Sequence, residues 1–534
     1  MKTMAEQENY SADERRILAT YFTNVDKPVF ALINLPEVVK GALFARYSRS
    51  AKSLRRLFLD EFFQDGMVPK SPISEIGVHR AERLYDKILT DYGDDSVAQL
   101  GGVHIACEGV SNILTKLLEW GRLMAYLEQS TRYVPYTDRP GGDWKYHVPQ
   151  ELRGSRFEHQ YRSTLDRAFE TYAAWLEPVQ KHFIAKYPKD PQVSDVAYRA
   201  SIRSKALDTL RGLLPSATIS NLGIYGTPQG YENLILRLRA NTLAEARAYA
   251  DMILHELEAV VPAFMRRVAR PDRGGLWSSY LAHNRESVTS ISHEVLRGIQ
   301  ADSRPEVTIT EFDPEGEIKV VAAALYATSQ LPEDQLVSIV RNMTPDQRRS
   351  ILLRYAGFRE NRRHKPGRAF ERTAYRFDIL TDYGAFRDLQ RHRLLTLEWQ
   401  PLSCSHGYLT PETISEVGAQ SEWDAVMNLA AQTYRLLDGS EYSEAAQYVV
   451  PMAYRIRFYM HLNAREAMHM LELRTSPQGH PSYRRVCQHM HTLIRDVAGH
   501  TAIAEVMKFV DYSPVELERL ESEKANVAKR QSQL

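Results

Sequence analysis

Residues 390–409 read QRHRLLTLEWQPLSCSHGYL and residues 119–136 read EWGRLMAYLEQSTRYVPY, and the two stretches align as diverged copies of one block. Three further pairs follow in the same order. GALFARYSRS (41–50) echoes AAALYATSQ (322–330), and LRGLLPSATIS (210–220) echoes AQYVVPMAYRI (446–456). GYENLILRLRANTLAEARAYADMILHEL (230–257) echoes AREAMHMLELRTSPQGHPSYRRVCQHMHTLI (464–494). Self-similar blocks kept in register mark a duplicated unit. The chain therefore divides into a first repeat over 1–275, a linker over 276–310 punctuated by Pro, Gly and Ser, and a second repeat over 311–534.

Within each repeat the pattern is α+β. The i, i+3, i+4 apolar spacing of amphipathic helices runs through AERLYDKIL (81–89), VSNILTKLLEWGRLMAYL (110–127), RFEHQYRSTLDRAFETYAAWLEPVQKHF (156–183) and AYADMILHELEAVVPAFMRRV (248–268). GGVHIACEG, ATISNLGIYG, AYRFDILTDYG and YRIRFYMHL carry the alternation and β-branched content of strands.

Of the 534 residues, 43% are hydrophobic and 25% charged, which is the composition of an ordinary folded protein and excludes disorder and collagen-like structure. With 68 Lys+Arg against 67 Asp+Glu the net charge is +1, so a dedicated nucleic-acid binder is not expected, and only the local patch RENRRHKPGR (359–368) points that way. No apolar run approaches the ~20 residues of a membrane span, and the polar, acidic start is unlike a signal peptide, so a cytoplasmic protein without membrane partners is expected. Cys107, Cys404 and Cys487 lack CxxC spacing, which suits reduced thiols rather than disulfides or a zinc cluster. His461, His469, His480, His489 and His491 cluster near the C-terminus without an HExxH pattern, so no metal site is expected from them.

Three constellations could carry chemistry. Arg391-His392-Arg393, if helical, would fan around the axis and turn at least one group inward, where a guanidinium needs an anion such as a phosphate. A solvated basic turn is the alternative. Glu128, Ser130 and Arg132 alternate along what reads as an extended stretch and could grip a phosphate and a sugar together, or else belong to a polar loop. Arg465 and His469 share a helical face at i, i+4, with Asn463 before them and Arg474 beyond.

Taken together, these blocks resemble the flavin-dependent thymidylate synthases, the ThyX family, whose signature is an RHR triplet followed by an acid, a Ser and an Arg. The resemblance covers most of both halves and implies two tandem ThyX-like domains, each a mainly antiparallel sheet packed with helices. It implies reductive methylation of dUMP to dTMP with FAD, and with methylenetetrahydrofolate and NADPH as co-substrates. It also implies a homotetramer-like assembly, here a homodimer of fused chains.

The two repeats depart from that pattern in opposite ways. The second keeps Arg391, His392 and Arg393, together with Asn463, Arg465 and His469, all similar to flavin contacts, and Arg474, which matches the arginine directed at the uracil ring. Its nucleotide signature is altered to QPLSCSHGY, with Gln447 where an Arg is expected. The first repeat has Trp120-Gly121-Arg122 for the triplet and Thr227-Pro228-Gln229 for the NAR, yet retains Glu128, Ser130, Arg132 and Arg211, which resemble nucleotide contacts, and Ser96, which resembles a flavin-contacting hydroxyl. The expectation is one working site per chain composed from both repeats, with Arg474 as its catalytic cation. A flavin- and nucleotide-binding protein without catalysis is the alternative.

Overall fold

The computed structural model describes residues 10–26, 30–47, 52–63, 99, 101–521 and 523–524. The helix expected at 81–89 and Ser96 lie outside the described residues. Strands β1 (Val103–Ser111), β2 (Met124–Glu128) and β3 (Ile219–Gly226) form one sheet in the order β1-β3-β2. Strands β4 (Val307–Phe312), β5 (Ala374–Asp382), β6 (Leu395–Trp399) and β7 (Arg455–Asn463) form a second in the order β4-β5-β7-β6. The order β1-β3-β2 recurs as β5-β7-β6, as duplication requires. The pairs β2/β3, β4/β5, β5/β7 and β6/β7 are antiparallel. With the helices around them the fold is α+β, built from two repeats.

The first repeat carries α1 (Asn112–Leu118), α2 (Glu158–Lys186), α3 (Asp195–Leu210), α4 (Pro228–Arg239) and α5 (Ala244–Val260). Helix α6 (Leu276–Val295) follows, and the second repeat carries α7 (Tyr383–Leu389), α8 (Gln420–Asp438), α9 (Ala464–Arg474) and α10 (Pro481–Asp496). Four strand-to-helix corners use one device, a polar side chain that accepts from the first helical turn. Ser111 caps α1, Thr227 caps α4, Asp382 caps α7 and Asn463 caps α9, at 3.0, 3.2, 2.9 and 2.9 Å.

By contacts the chain forms two compact units. The described residues of the first fall within Met1–Glu108, Gly121–Glu128 and Asn221–Gly298, and those of the second within Gly109–Trp120, Gln129–Ser220 and Ile299–Leu534. In the second unit β7 alternates strictly between buried and half-buried positions and β5 does so as far as Thr381, which is why their period was readable. Phe386 of α7 meets Phe458 of β7 and Trp399 of β6 at centroid distances of 4.9 and 5.6 Å, clamping α7 and β6 on either side of the RHR turn.

The matched loops before β3 and β7 pair with each other inside this unit. Ser216 N donates to Val450 O at 2.8 Å and Met452 N to Leu214 O at 2.9 Å; Ala217 N and Ala453 N bond Tyr448 O and Gly212 O, both at 3.0 Å. Each bond has its mirror, the signature of an isologous two-fold contact. Thr164 of α2 and Thr433 of α8 likewise share a buried hydroxyl pair at 2.8 Å.

Two sequence expectations need correction, and the linker has structure of its own. The run 110–127 is not one helix: it breaks after α1 and resumes as β2. The run 248–268 is two helices, since Pro262 has no N–H to continue α5 and starts the helix Pro262–Ala269. Residues 276–310 contain α6 and the first residues of β4.

Candidate functional site

The RHR triplet lies in the turn between α7 and β6, not on a helix. Arg391 and Arg393 are exposed and His392 is buried, so the group turned inward is the imidazole. On the last turn of α7, Asp388 gathers guanidinium groups contributed by both repeats. Arg391 bonds its Oδ1, Arg474 Nη1 is 3.7 Å from the same oxygen, and Arg211 Nη1 is 3.6 Å from Oδ2. Burial alone would raise this carboxyl, yet the positive charges of Arg391, Arg474, Arg211 and Arg132 hold it well below the usual carboxylate range. Gly384 makes the close approach of Arg211 possible, for a Cβ there would lie 3.2 Å from its Nε and Nη2.

Arg132 is buried and locked by Asp208 of α3, whose oxygens accept from Nε at 2.7 Å and also from Nη2; Nη1 donates to Gln478 O at 3.0 Å. The expected alternation of 128, 130 and 132 along an extended stretch does not hold. β2 ends at Glu128, which falls in the first unit, and the chain then turns. Ser130 Oγ accepts from Arg132 N at 3.3 Å, so its hydroxyl shapes the turn that buries Arg132. Within the second unit these four guanidinium groups face the carboxylates of Asp208 and Asp388, and Asp382, beside Arg211, is a third. Arg211 Nη2 is buried with no hydrogen-bond partner among the described residues.

His392 is a bridge rather than a free donor. Its Nε2 accepts from Arg474 Nε at 3.0 Å, so Nδ1 carries the proton and faces Glu466 Oε1 at 3.1 Å. Burial, and then the cations Arg474, Arg391 and Arg393, keep the ring neutral by pushing its pKa well below the usual histidine value. The Glu466–His392–Arg474 chain thus fixes the orientation of the arginine that ends α9, which lies 5.6 Å from the Tyr483 ring. Burial raises the Glu466 carboxyl, against His469, Lys365, Arg465 and Arg393, and burial lowers His469 to about 4.

His392, Glu466 and His469 bring three ligand atoms within 4.8 Å of one another. A metal would need the Nδ1 lone pair of His392, which is protonated while Arg474 donates to Nε2, and Lys365 and Arg393 repel a cation there. An anionic cofactor suits the surroundings better. Lys365 and Arg362, from the basic patch at 359–368, act on His469 together with His392, and Arg393 makes no hydrogen bond with the described residues. This cationic rim fits the diphosphate of a dinucleotide such as FAD. Arg465 is less available than expected, donating to Pro366 O at 2.9 Å and Glu371 at 3.2 Å, and Asn463 Oδ1 is used in capping α9.

Asp388, Asp208, Glu466 and Asp382 were not singled out from sequence. Their partners are distant along the chain, and Asp388 alone carried a local hint in its i, i+3 spacing to Arg391. In the first repeat, Trp120 stands at the first triplet position and is a packing residue: its Nε1 donates to Leu397 O at 3.1 Å and its ring meets Trp399 edge-on at 5.5 Å. Cys107 is buried and its thiol is pushed up to about 11, which suits an inert core cysteine. No helix among the described residues is long and apolar enough to cross a membrane.

Comparison with known proteins agrees with the duplication. The sequence matches the family described as Thymidylate synthase complementing protein over residues 44–263 and again over 308–499, one match in each repeat. It is similar to a UPF0159 protein of Chlamydia muridarum, 39% identical over 527 residues, covering 97% of this chain and 99% of the relative. It is also similar to a UPF0159 protein of Thermoplasma acidophilum, 30% identical over 510 residues, covering 91% and 97%. Among solved structures, the UMP/dUMP methylase PolB from Streptomyces cacaoi bound with 5-Br dUMP is 19% identical, covering 39% of this chain and 97% of that one at a TM-score of 0.30. With both repeats matched and full-length relatives at this identity, the chain belongs to the Thymidylate synthase complementing protein family.

Proposed function

We propose that the arginine nest around Asp388 takes the phosphate of dUMP and that the chain methylates this nucleotide reductively to dTMP, with methylenetetrahydrofolate as the one-carbon donor and NADPH as reductant. Bound FAD would supply the hydride chemistry. The observation that carries the reading is charge: the guanidinium groups of Arg132, Arg211, Arg391 and Arg474 outnumber the carboxylates of Asp208, Asp388 and Asp382 around them, which suits the phosphate monoester of a nucleotide. Arg211 and Arg391 would grip the phosphate, with Arg132 and Asp208 holding the shape of the turn. Arg474, oriented by His392, would stabilise negative charge developing on the uracil ring, a task in which one preorganised donor is worth about 3 kcal/mol. Arg393, Arg362 and Lys365 would hold the cofactor diphosphate. Two chains would pair into a homodimer of pseudo-tetrameric form.

The test is purified protein assayed for flavin absorbance and for tritium release from dUMP labelled at C5. The reading predicts both in the parent, and flavin without release in Arg474→Ala. A colourless Arg474→Ala protein would assign that residue to the cofactor instead. A second reading, a nucleotide- and flavin-binding protein without catalysis, is favoured by the protein partners that Arg391, Arg465 and His392 already hold. Flavin and dUMP binding without release in the parent would select it.

A further inference from the structure

The basic loop at 359–368 carries more charge than a cofactor diphosphate needs. Residues 360–365 read ENRRHK, in a chain whose net charge is only +1. Arg363, His364 and Lys365 are exposed, as is Lys508 beside them, and Arg362 is half-buried. None of Arg362, Arg363, Lys365 and Lys508 has an ion-pair partner among the described residues. Arg362 and Lys365 act on His469, next to the proposed cofactor rim, which leaves Arg363 and Lys508 unassigned. Lys508 is placed by rings: its ammonium is 5.1 Å from the centre of Phe358 and 5.2 Å from that of Phe509. Phe358 is 85% exposed, the most exposed large apolar side chain among the described residues.

The backbone holds that ring in water, although burial would favour it. Gly357, at φ 69°, ends the helix Pro345–Ala356 just before it. Arg359, just after it, is 3% exposed and serves as an anchor. Its Nε donates to His364 O at 2.6 Å, and its Nη1 to Glu472 Oε1 at 2.7 Å and Val506 O at 2.8 Å. One buried guanidinium thus closes the basic loop and fastens it to the segment that leads to Lys508. Arg465 secures the far end through Pro366 O at 2.9 Å. The result is an exposed ring on a pinned loop, with a cation beside it and more in the residues that follow. A free phosphate would use the cations and leave the ring bare. One ring is too little apolar surface to hold a membrane. An unpaired base can stack on the ring while its flanking phosphates meet the cations, a fit closed to a duplex, whose base faces already cover one another.

We infer that this loop is a contact surface for single-stranded nucleic acid, with Phe358 as the stacking platform for a base and Arg363 and Lys508 taking the phosphates beside it. The inference does not depend on the proposed catalysis. The test is fluorescence anisotropy of a labelled oligothymidylate of about 20 nucleotides titrated with the purified full chain, with FAD in excess so that the cofactor rim is filled. Affinity should fall about tenfold between about 50 and 200 mM salt, the slope of two to three phosphate contacts on a single strand. Phe358→Ala should weaken binding at least fivefold at an unchanged melting temperature, because the ring it removes is exposed. Arg363→Gln should lower the salt slope by about one contact. The same strand annealed to its complement should bind at least fivefold more weakly, although its charge density is higher. The inference is overturned by any of four results: no binding at about 50 mM salt, a duplex bound as tightly as the strand, full affinity in Phe358→Ala, or phosphatidylserine vesicles bound in preference to the strand.

Discussion

Asp388→Asn keeps the shape of a side chain and removes the one negative charge that Arg211, Arg391 and Arg474 share. Arg211 and Arg474 stand 3.6 and 3.7 Å from its oxygens, and Arg391 is bonded to it. At an effective dielectric of about 20 each such contact is roughly 4–5 kcal/mol of Coulomb energy, most of it cancelled by desolvation. Removing one partner of a buried pair costs about 3–5 kcal/mol, and because the Asp388 side chain is 14% exposed the lower end, about 3 kcal/mol, is expected. Affinity for a phosphate should move the other way. A ligand phosphate would no longer compete with the carboxylate, a relief that at about 5 Å and a dielectric of about 40 exceeds 1.4 kcal/mol, so dUMP should bind at least tenfold more tightly. Saturating dUMP at a hundred times its Kd would then return about 2.7 kcal/mol of the lost stability. Melting curves of parent and variant with and without dUMP, with calorimetric Kd values, check both signs. A variant as stable as the parent, or one that binds dUMP more weakly, would refute the reasoning.

Three further outcomes are expected. Trp120→Arg, which rebuilds a triplet arginine in the first repeat, should destabilise by about 3 kcal/mol in urea unfolding, because it removes the indole packed on Trp399 and half-buries a guanidinium. Gly384→Ala should destabilise by about 1–3 kcal/mol and weaken dUMP binding, since its Cβ crowds Arg211 and Asp382. Burial holds His392 and His480 well below the usual value near 6.5 and His469 at about 4, so the unfolded chain binds more protons than the fold below pH 6.5 and stability should fall as pH drops. His469→Gln should reduce that proton uptake by roughly one between pH 6.5 and 5, while Glu466, whose carboxyl burial raises, contributes in the opposite sense.

Of the strands that sequence alone revealed, β3, β5 and β7 have faces that differ most, while β1 alternates only in part. β5 and β7 bury every second residue, and period two is legible wherever one face meets a core. β2 and β6 are five residues long, too short for their period to stand out beside the helical spacing that precedes them. Among site residues, Arg211, Arg391 and Arg474 could be named because arginines at matching positions of two repeats invite comparison. Their anionic partners could not: Asp208 meets Arg132 across 76 positions and Glu466 meets His392 across 74, and no local spacing encodes such pairs. The partners of His392 are hidden from sequence for the same reason, since both ring nitrogens are engaged by residues far along the chain.

Calorimetric stoichiometry of dUMP binding tests the central claim most directly, because a single nest built from Arg211 of one repeat and Arg391 of the other can hold one phosphate. The account predicts one dUMP per chain, with Arg211→Lys and Arg391→Lys each weakening it at least tenfold, since a lysine cannot reproduce the planar fork. Two sites per chain, or full affinity in either variant, would contradict it.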